Sequence, residues 1–274
     1  MTARFWLLAL FILVFGTVCI AQDEAKVSAR NAVNEGVQAF RQAQYEDAIQ
    51  RFEQAVTLDP DFVLARMYLA ATYLQVFEPG VDTPDNVIRA TKALDQYSEI
   101  LRSNPNDVES LKGVAYLKLQ LNNFDGARQA YAKAIALEPN DPELLYAAGV
   151  ANWSMASSQI TSEKAKLDAE SEYSLILSES CPDVRAKTLT MVDSGIAMLN
   201  KAISLRKDYV DAMMYMEMLY RLRADLECDN RKSYHADMKQ SEEWSDRAAA
   251  ARKRQAEAAV PKENQEQPPD KPQP

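Results

Sequence analysis

Small and aromatic residues recur along this chain with a period of about 34 residues, and this period constrains the fold more than any other feature. Two segments, 29–62 and 108–141, carry small side chains at positions 8, 20 and 27, aromatic rings at 17 and 24, and proline at 32. Small residues let two helices cross closely, and bulky rings fill the space beside the crossing. Proline ends the second helix, because it lacks an N–H and disfavours a helical residue before it. The spacing therefore predicts consecutive pairs of packed helices. The residues are Gly36, Tyr45, Ala48, Phe52, Ala55 and Pro60 in the first segment and Ala115, Phe124, Ala127, Tyr131, Ala134 and Pro139 in the second.

This arrangement resembles the tetratricopeptide repeat, a family of helix-turn-helix units, and the resemblance covers roughly residues 29–258. It implies an all-α fold, an α-solenoid of about five units in a right-handed superhelix. The composition agrees, because 7 glycines among 274 residues are too few for the turns of a many-stranded sheet or for a phosphate-cradling α/β enzyme. The predicted superhelical domain is 22–258, and its units are about 29–62, 63–107, 108–141, 142–209 and 210–258.

Two of these units are longer than the period of the repeat. In 63–107 the second-helix residues come later than the period predicts, which indicates an insertion around 77–87 with turns at its prolines. In 142–209 the insertion is as long as a whole repeat, lies within 154–193, and is predicted to contain a helix of its own. The apolar residues of this predicted helix are Ile160, Leu167, Tyr173, Leu175 and Ile176.

The end of the chain differs from the repeats in composition. The last predicted helix, around 232–258, is rich in charge, which suits a terminal cap whose outer face has no neighbour. The segment that follows, 259–274, is rich in Pro, Gln and Glu and has no aliphatic residue after Val260. We therefore expect a disordered tail.

Residues 1–21 have the layout of a signal peptide. Arg4 precedes an unbroken apolar run, and Cys19 and Ala21 are the small residues that a signal peptidase requires before its cleavage site. We expect cleavage after Ala21 and an exported protein, periplasmic or secreted. Two alternatives stay open, namely a membrane anchor formed by residues 5–21 and lipidation of Cys19.

Cys181 and Cys228 are the cysteines that remain once residues 1–21 are removed. In an oxidising compartment two cysteines can form one disulfide. Pairing requires Cα atoms within about 7 Å, which the sequence does not show. A disulfide and two unpaired thiols are both compatible with the sequence.

The resemblance also implies where a partner binds. In tetratricopeptide superhelices the first helix of each pair lines the concave face, and four positions of that helix point inward. Aromatic and methionine surfaces offer large apolar area and adaptable packing, so a peptide in this groove is the expected ligand. An alternative is that the 154–193 insertion folds back and fills the groove itself. The candidate groove residues are Phe40, Met67, Leu74, Lys112, Tyr116, Tyr146, Val150, Trp153, Met214, Met218 and Arg221.

The residues present argue against catalysis and cofactor binding. His235 is the single histidine, which removes Ser-His-Asp and Cys-His catalysis and leaves a zinc site one imidazole at most. The sequence contains no GxGxxG, P-loop or CxxC motif. We therefore predict no enzyme activity, no cofactor and no metal site.

The net charge of −9 narrows the class of partner. An acidic chain is a poor ligand for nucleic acid or for anionic lipid. Membrane contact is expected only if the N-terminal segment is uncleaved or Cys19 is lipidated. The sequence thus predicts a scaffold or adaptor that mediates protein–protein interaction in the cell envelope or extracytoplasmic space. The alternatives are an accessory subunit of an outer-membrane assembly complex and a binding protein for an apolar small molecule or lipid.

Overall fold

The computed structural model describes the backbone of residues 2–167 and 174–259, and side chains within these ranges from residue 22 onward. The described residues form ten α-helices and no strand, so the predicted all-α fold of the solenoid class is confirmed. The helices are α1 (Thr2–Arg41), α2 (Tyr45–Leu58), α3 (Val63–Val76), α4 (Pro84–Ser103), α5 (Val108–Gln120), α6 (Phe124–Leu137), α7 (Pro142–Lys164), α8 (Cys181–Leu205), α9 (Val210–Asp225) and α10 (Arg231–Ala259).

The chain divides into two compact structural units, residues 1–130 and 131–274, each larger than a single repeat. From here on, the first unit and the second unit mean these two parts of the chain. In the first unit, α1 packs against α2, α2 against α3, α3 against α4, and α4 against α5. Gly36 of α1 lies against the ring of Phe52, where a Cβ atom would stand 2.6 Å from Phe52 Cε1. Phe52 and the alanines of positions 20 and 27 are fully buried. The predicted small and aromatic positions therefore form the close crossing of α1 and α2.

In the second unit, α7 packs against α8, α8 against α9, and α9 against α10, while α7 also contacts α9. A Cβ atom at Gly149 of α7 would stand 2.7 Å from Leu199 Cδ2 on α8, the same close approach that Gly36 makes. Leu199 belongs to one hydrophobic core that includes Met216 and Trp244. The core therefore runs from α7 through α9 to α10.

The insertion at 77–87 forms a loop followed by an early start of α4. Thr83 caps α4 by accepting a hydrogen bond from the Asn86 N–H, and Pro84 is the first helical residue. The buried Asn86 side chain accepts from the Glu78 N–H at 2.8 Å and donates to the carbonyls of Glu78 and Val81 at 2.7 Å. These bonds satisfy the backbone of the loop and hold it against α4.

The insertion at 154–193 is largely helical, but the expectation of a separate helix is wrong for the residues that the structure describes. Ile160 lies within α7, which continues to Lys164 because its apolar face stays buried through Ile160. Leu175 and Ile176 lie in turns before α8, which begins at Cys181. The added residues therefore lengthen α7 and α8. Tyr173 lies outside the described residues.

Helix α1 runs without a break through the expected cleavage position after Ala21. The side chains of residues 1–21 and the whole of 260–274 lie outside the described part of the chain, so the signal peptide and the disordered tail stay predictions. Among the residues that the structure describes, no helix has the length and the apolar character that crossing a membrane requires.

Candidate functional site

The expected groove residues of the first unit lie on α1, α3 and α5 and are all half-buried. The ring of Phe40 meets Tyr45 edge-on, with centroids 5.4 Å apart. The Ser110 hydroxyl donates to Met67 Sδ at 3.8 Å, which brings α3 and α5 together at this point. These residues are Phe40, Met67, Leu74, Lys112 and Tyr116.

Lys112 and Tyr116 are the charged and the phenolic member of this set. Lys112 pairs with Glu109 at 2.9 Å on the same helix. Burial raises the pKa of the Tyr116 phenol, so its hydroxyl stays protonated at neutral pH. Leu64 and Tyr68 on α3 are more exposed than any predicted groove residue of this unit, and Tyr68 stacks on Phe52 at 5.3 Å. Leu64 occupies the second position of its helix, an inward position in the family, so the same rule points to it.

In the second unit, four aromatic rings form a continuous row. Tyr146 of α7 lies 5.1 Å from Tyr209 and 5.9 Å from Tyr215, measured between ring centroids. Trp153, two turns further along α7, meets Tyr215 edge-on at 5.2 Å. Tyr209 is buried, whereas Tyr146, Trp153 and Tyr215 are half-buried and keep part of each ring at the surface. We call Tyr209, Tyr146, Tyr215 and Trp153 the aromatic row.

One end of the aromatic row carries a charged network. The Tyr209 hydroxyl donates to Glu143 Oε2 at 2.6 Å, and Arg206 forms an ion pair with Glu143. The Arg206 guanidinium also lies over the Tyr209 ring, 4.4 Å from its centroid. This network fixes Tyr209, against which Tyr146 then packs.

Two tyrosines of the row, Tyr146 and Tyr209, have raised pKa values. Burial raises the pKa of Tyr146 to about 12, with further contributions from Tyr215 and from the negative charges of Asp211 and Glu143. The pKa of Tyr209 is raised by burial and by its hydrogen bond to Glu143. At neutral pH the row is therefore an uncharged apolar surface with carboxylates beside it.

The remaining candidate residues of this unit lie on the same two helices. Val150 is half-buried one turn after Tyr146, and Met218 is half-buried one turn after Met214. Met214 Sδ lies 3.2 Å from Arg252 Nη2 of α10. Arg221 is exposed and stands 3.9 Å from Glu217. The structure thus brings the α7 and α9 candidates to one face, because the two helices are in contact.

The described part of the 154–193 insertion is fastened to the turn between α9 and α10. Cys181 and Cys228 form a disulfide there, with Cα atoms 5.7 Å apart. Ile176 packs against Ala224 and Tyr234, and its carbonyl accepts a hydrogen bond from Asp229. The rings of Tyr146 and Trp153 meet Tyr215 of α9 instead. Residues 168–173 of the insertion lie outside the described part of the chain.

Sequence reasoning missed Tyr209 and Tyr215, which link Tyr146 to Trp153. Tyr215 follows the inward position of Met214, and Tyr209 immediately precedes α9. A rule that also selects aromatic residues within about one helical turn of an inward-pointing position, such as Met214, would have found Tyr209 and Tyr215. The described residues contain no group of three or more His, Cys, Asp or Glu side chains that could hold a metal ion.

Comparison with known proteins agrees with this geometry. One family model, described as a TPR repeat, matches residues 115–155, and another, described as a tetratricopeptide repeat, matches residues 33–75. The chain contains tetratricopeptide repeats in these two segments. No curated protein sequence matches it.

Solved structures share the fold of this chain at low sequence identity. A MamA structure is 13% identical with a TM-score of 0.60, covering 85% of this chain and 97% of MamA. YrrB, described as a TPR protein with an unusual peptide-binding site, is 14% identical with a TM-score of 0.52, covering 86% of this chain and 97% of YrrB. MamA from Desulfovibrio magneticus RS-1 is 12% identical with a TM-score of 0.51, covering 79% of this chain and 96% of that one. At these identities the likeness shows the fold alone. The repeats and the shared fold support a scaffold for protein–protein interaction.

Proposed function

We propose that this protein is a non-enzymatic adaptor of the extracytoplasmic space that binds a peptide segment of a partner protein on the aromatic row. The observation that carries the proposal is the junction of Tyr146, Tyr215 and Trp153, whose rings touch one another and still keep surface exposed. Partly exposed Trp and Tyr rings held in fixed positions supply most of the binding energy at many interfaces. The row is held rigid by Tyr209 and Glu143 beneath it.

The chemistry of the row favours a partner segment with apolar anchors and basic neighbours. The neutral rings, together with Val150 and Met218, offer apolar area that a Leu, Pro or aromatic side chain can cover. Glu143 and Asp211 lie close enough to raise the pKa of Tyr146, so a Lys or Arg beside the anchor meets negative charge. The net charge of −9 favours the same kind of partner. A peptide-binding role is also described for YrrB, which has a similar fold.

Two observations support an extracytoplasmic location. The first is the signal-peptide layout of residues 1–21. The second is the Cys181–Cys228 disulfide, since structural disulfides persist in oxidising compartments and are rare in the cytosol. We therefore propose that the mature protein works in the periplasm or outside the cell, or is held at the membrane if residues 5–21 remain as an anchor.

The proposal is tested by identifying a partner and measuring its affinity for variants of the row. Tagged protein captures partners from native envelope extract, and the purified partner is then titrated against wild type and against the Tyr146→Ala, Trp153→Ala double variant. Since truncating an anchor at an interface centre costs about 2 kcal/mol or more, the double variant should bind at least about thirtyfold more weakly.

A matched control removes apolar surface elsewhere in the same unit. Leu177 and Leu205 are 51% and 45% exposed, so the Leu177→Ala, Leu205→Ala double variant should bind as wild type does. Equal affinity of wild type and the Tyr146, Trp153 variant, with circular dichroism showing both folded, would refute the proposal. So would a captured apolar small molecule or lipid that the double variant releases while protein binding is unchanged.

A further inference from the structure

The loop formed by the 77–87 insertion brings three exposed aliphatic side chains together. Val81 lies in the loop, and Val87 and Ile88 lie near the start of α4, with 40%, 37% and 51% of their surfaces exposed. The Asn86 side chain donates to the Val81 carbonyl at 2.7 Å, which places Val81 beside the start of α4. We call Val81, Val87 and Ile88 the loop patch.

The backbone beneath the loop patch is fixed by hydrogen bonds. Asn86 is only 4% exposed and makes three bonds to the loop backbone. The Val81 N–H donates to the Glu78 carbonyl at 3.2 Å, in a turn where Gly80 has a φ of 80° that glycine adopts without strain. Arg89 Nη1 donates to the carbonyl of the last α3 residue at 2.9 Å. A surface that is ordered before binding loses little conformational entropy when a partner docks on it.

The rim of the loop patch is acidic. Arg89 directs its guanidinium to the backbone at the end of α3, and Lys92, one turn beyond Ile88, pairs with Glu53 of α2 at 3.3 Å. Three exposed carboxylates therefore face one guanidinium around the patch, since the charges of Lys92 and Glu53 balance. An apolar centre with a charged rim is the usual anatomy of a protein interface. The rim residues are Glu78, Asp82 and Asp85.

We propose that the loop patch docks a partner segment whose aliphatic side chains are flanked by Lys or Arg. The aliphatic side chains of the partner cover the patch, and its cations meet the carboxylates of the rim, which favour a basic partner over an acidic one. A second copy of this chain fits poorly, because two acidic rims would face each other across a symmetric interface. An anionic lipid surface is repelled by the same charges. This inference does not depend on the aromatic row.

The test uses two fluorescein-labelled amphipathic peptides, one of leucine and lysine and one with glutamate in place of each lysine. Binding to the full chain is followed by fluorescence anisotropy at about 150 mM NaCl, where non-specific attraction is screened. All chains carry Tyr146→Ala and Trp153→Ala, so that the aromatic row does not contribute. A second series in the wild-type background has any binding on the row in common. We expect the lysine peptide to bind and the glutamate peptide not to bind.

Adding Val81→Ser and Ile88→Ser should weaken binding of the lysine peptide at least about tenfold, because the apolar centre of the interface is lost. Both side chains are exposed, so circular dichroism should show an unchanged fold. The matched control is Val27→Ser with Leu64→Ser, which removes aliphatic side chains that are 54% and 49% exposed in the same unit. This control should bind the lysine peptide as the parent chain does.

Reversing the charge of the rim tests its role in choosing the partner. Glu78→Lys with Asp82→Lys should reverse the preference, so that the glutamate peptide binds more tightly than the lysine peptide. A preference for the lysine peptide that survives this change would overturn the inference. Equal affinity of the lysine peptide for the parent chain and the Val81, Ile88 variant would do the same.

Two further measurements ask whether another occupant uses the loop patch. A wild-type dimer in sedimentation that Val81→Ser and Ile88→Ser abolish would assign the patch to a second copy and overturn the inference. Binding of wild type to phosphatidylglycerol vesicles that the same substitutions abolish would assign it to lipid, with the same consequence. None of these outcomes bears on the proposed function, since the loop patch shares no residue with the aromatic row.

Discussion

Single glycines allow close helix crossings among the described residues, because a side chain at these positions would overlap a neighbour. Gly36 faces the Phe52 ring and Gly149 faces Leu199, with 2.6 Å and 2.7 Å to an added Cβ. Both glycines occupy position 8 of their repeat. Real Cβ atoms do not approach so closely, so a larger residue at either position must displace the Phe52 ring or the Leu199 side chain.

Gly36→Leu should lower the free energy of unfolding by about 1 to 3 kcal/mol, because overpacking moves α2 away from α1. Urea denaturation followed by circular dichroism measures the loss. Asn34→Leu adds the same side chain at an exposed position of α1 and should change stability little. A Gly36→Leu variant as stable as wild type would mean that Phe52 does not fill this crossing.

Buried phenols should make the protein unstable at high pH. The pKa values of Tyr97 and Tyr146 are raised to about 12, mainly by burial, from an ordinary value of 10.0. Below pH 10 both rings are protonated in the folded and unfolded chain. As the pH rises from about 10 to about 12, the unfolded chain loses these protons and the folded chain does not, so the free energy of unfolding falls.

Urea denaturation between pH 8 and pH 11.5 tests this prediction. Tyr146→Phe and Tyr97→Phe should each flatten the alkaline fall, since phenylalanine has no proton to lose. Both variants should follow wild type below pH 9. If the free energy of unfolding falls equally steeply with pH in wild type and in both variants, Tyr97 and Tyr146 do not cause the alkaline loss of stability.

At the scale of elements, the long insertion of the fourth repeat is anchored at several points. The disulfide joins the first residue of α8 to the turn before α10 across a sequence separation of 47 residues. Lys164, at the end of α7, pairs with Asp225 at the end of α9 at 2.7 Å. These links keep the lengthened α7 and α8 in place against α9.

Replacing both cysteines by serine should lower the free energy of unfolding by about 4 kcal/mol, the loop-closure estimate for a loop of this length. Reduction of wild type with dithiothreitol should give a loss of similar size in urea denaturation. Leu177→Ser changes an exposed residue of the same insertion outside the disulfide and serves as the control. A reduced protein as stable as the oxidised one would show that the other contacts hold the insertion alone.

The sequence predicted some elements well and others poorly, for identifiable physical reasons. Helices α3, α5, α7 and α9 begin at Val63, Val108, Pro142 and Val210, the first residues of the predicted units. The aspartates before two of them, Asp107 and Asp141, accept hydrogen bonds from the first N–H groups of α5 and α7 and so cap these helices. Within 154–193 the described residues lengthen α7 and α8 and form no separate helix, since an apolar pattern does not distinguish a new helix from the extension of an old one. The row through Tyr209 and Tyr215 depends on how α7 packs against α9, which no local pattern specifies.

For the whole molecule, the distribution of charged and apolar surface on this acidic chain determines which partners it can bind. The net charge is −9, and the aromatic row is an apolar surface with carboxylates beside it. Binding at the row should therefore weaken as salt rises, to the extent that basic residues of the ligand contribute.

The salt dependence of the Kd separates the contribution of charged groups to affinity from the contribution of apolar contacts. The Kd of a purified partner, measured from about 50 to about 500 mM NaCl, should rise with salt and level off at a value set by the apolar contacts. Asp211→Asn should lower the salt dependence while the high-salt Kd stays close to that of wild type. A Kd independent of salt in wild type would contradict a role for the carboxylates.

Site-specific photocrosslinking shows directly whether a partner segment lies on the aromatic row. A photoreactive phenylalanine analogue is placed at Tyr215, in the middle of the aromatic row, or at Leu205, which is exposed on α8. Both chains are irradiated with the bound partner, and adducts are mapped by mass spectrometry. If the partner binds on the aromatic row, we expect an adduct with one partner segment from position 215 and none from position 205. An adduct from position 205 alone, with Tyr215 unreactive in a folded protein, would contradict binding on the aromatic row.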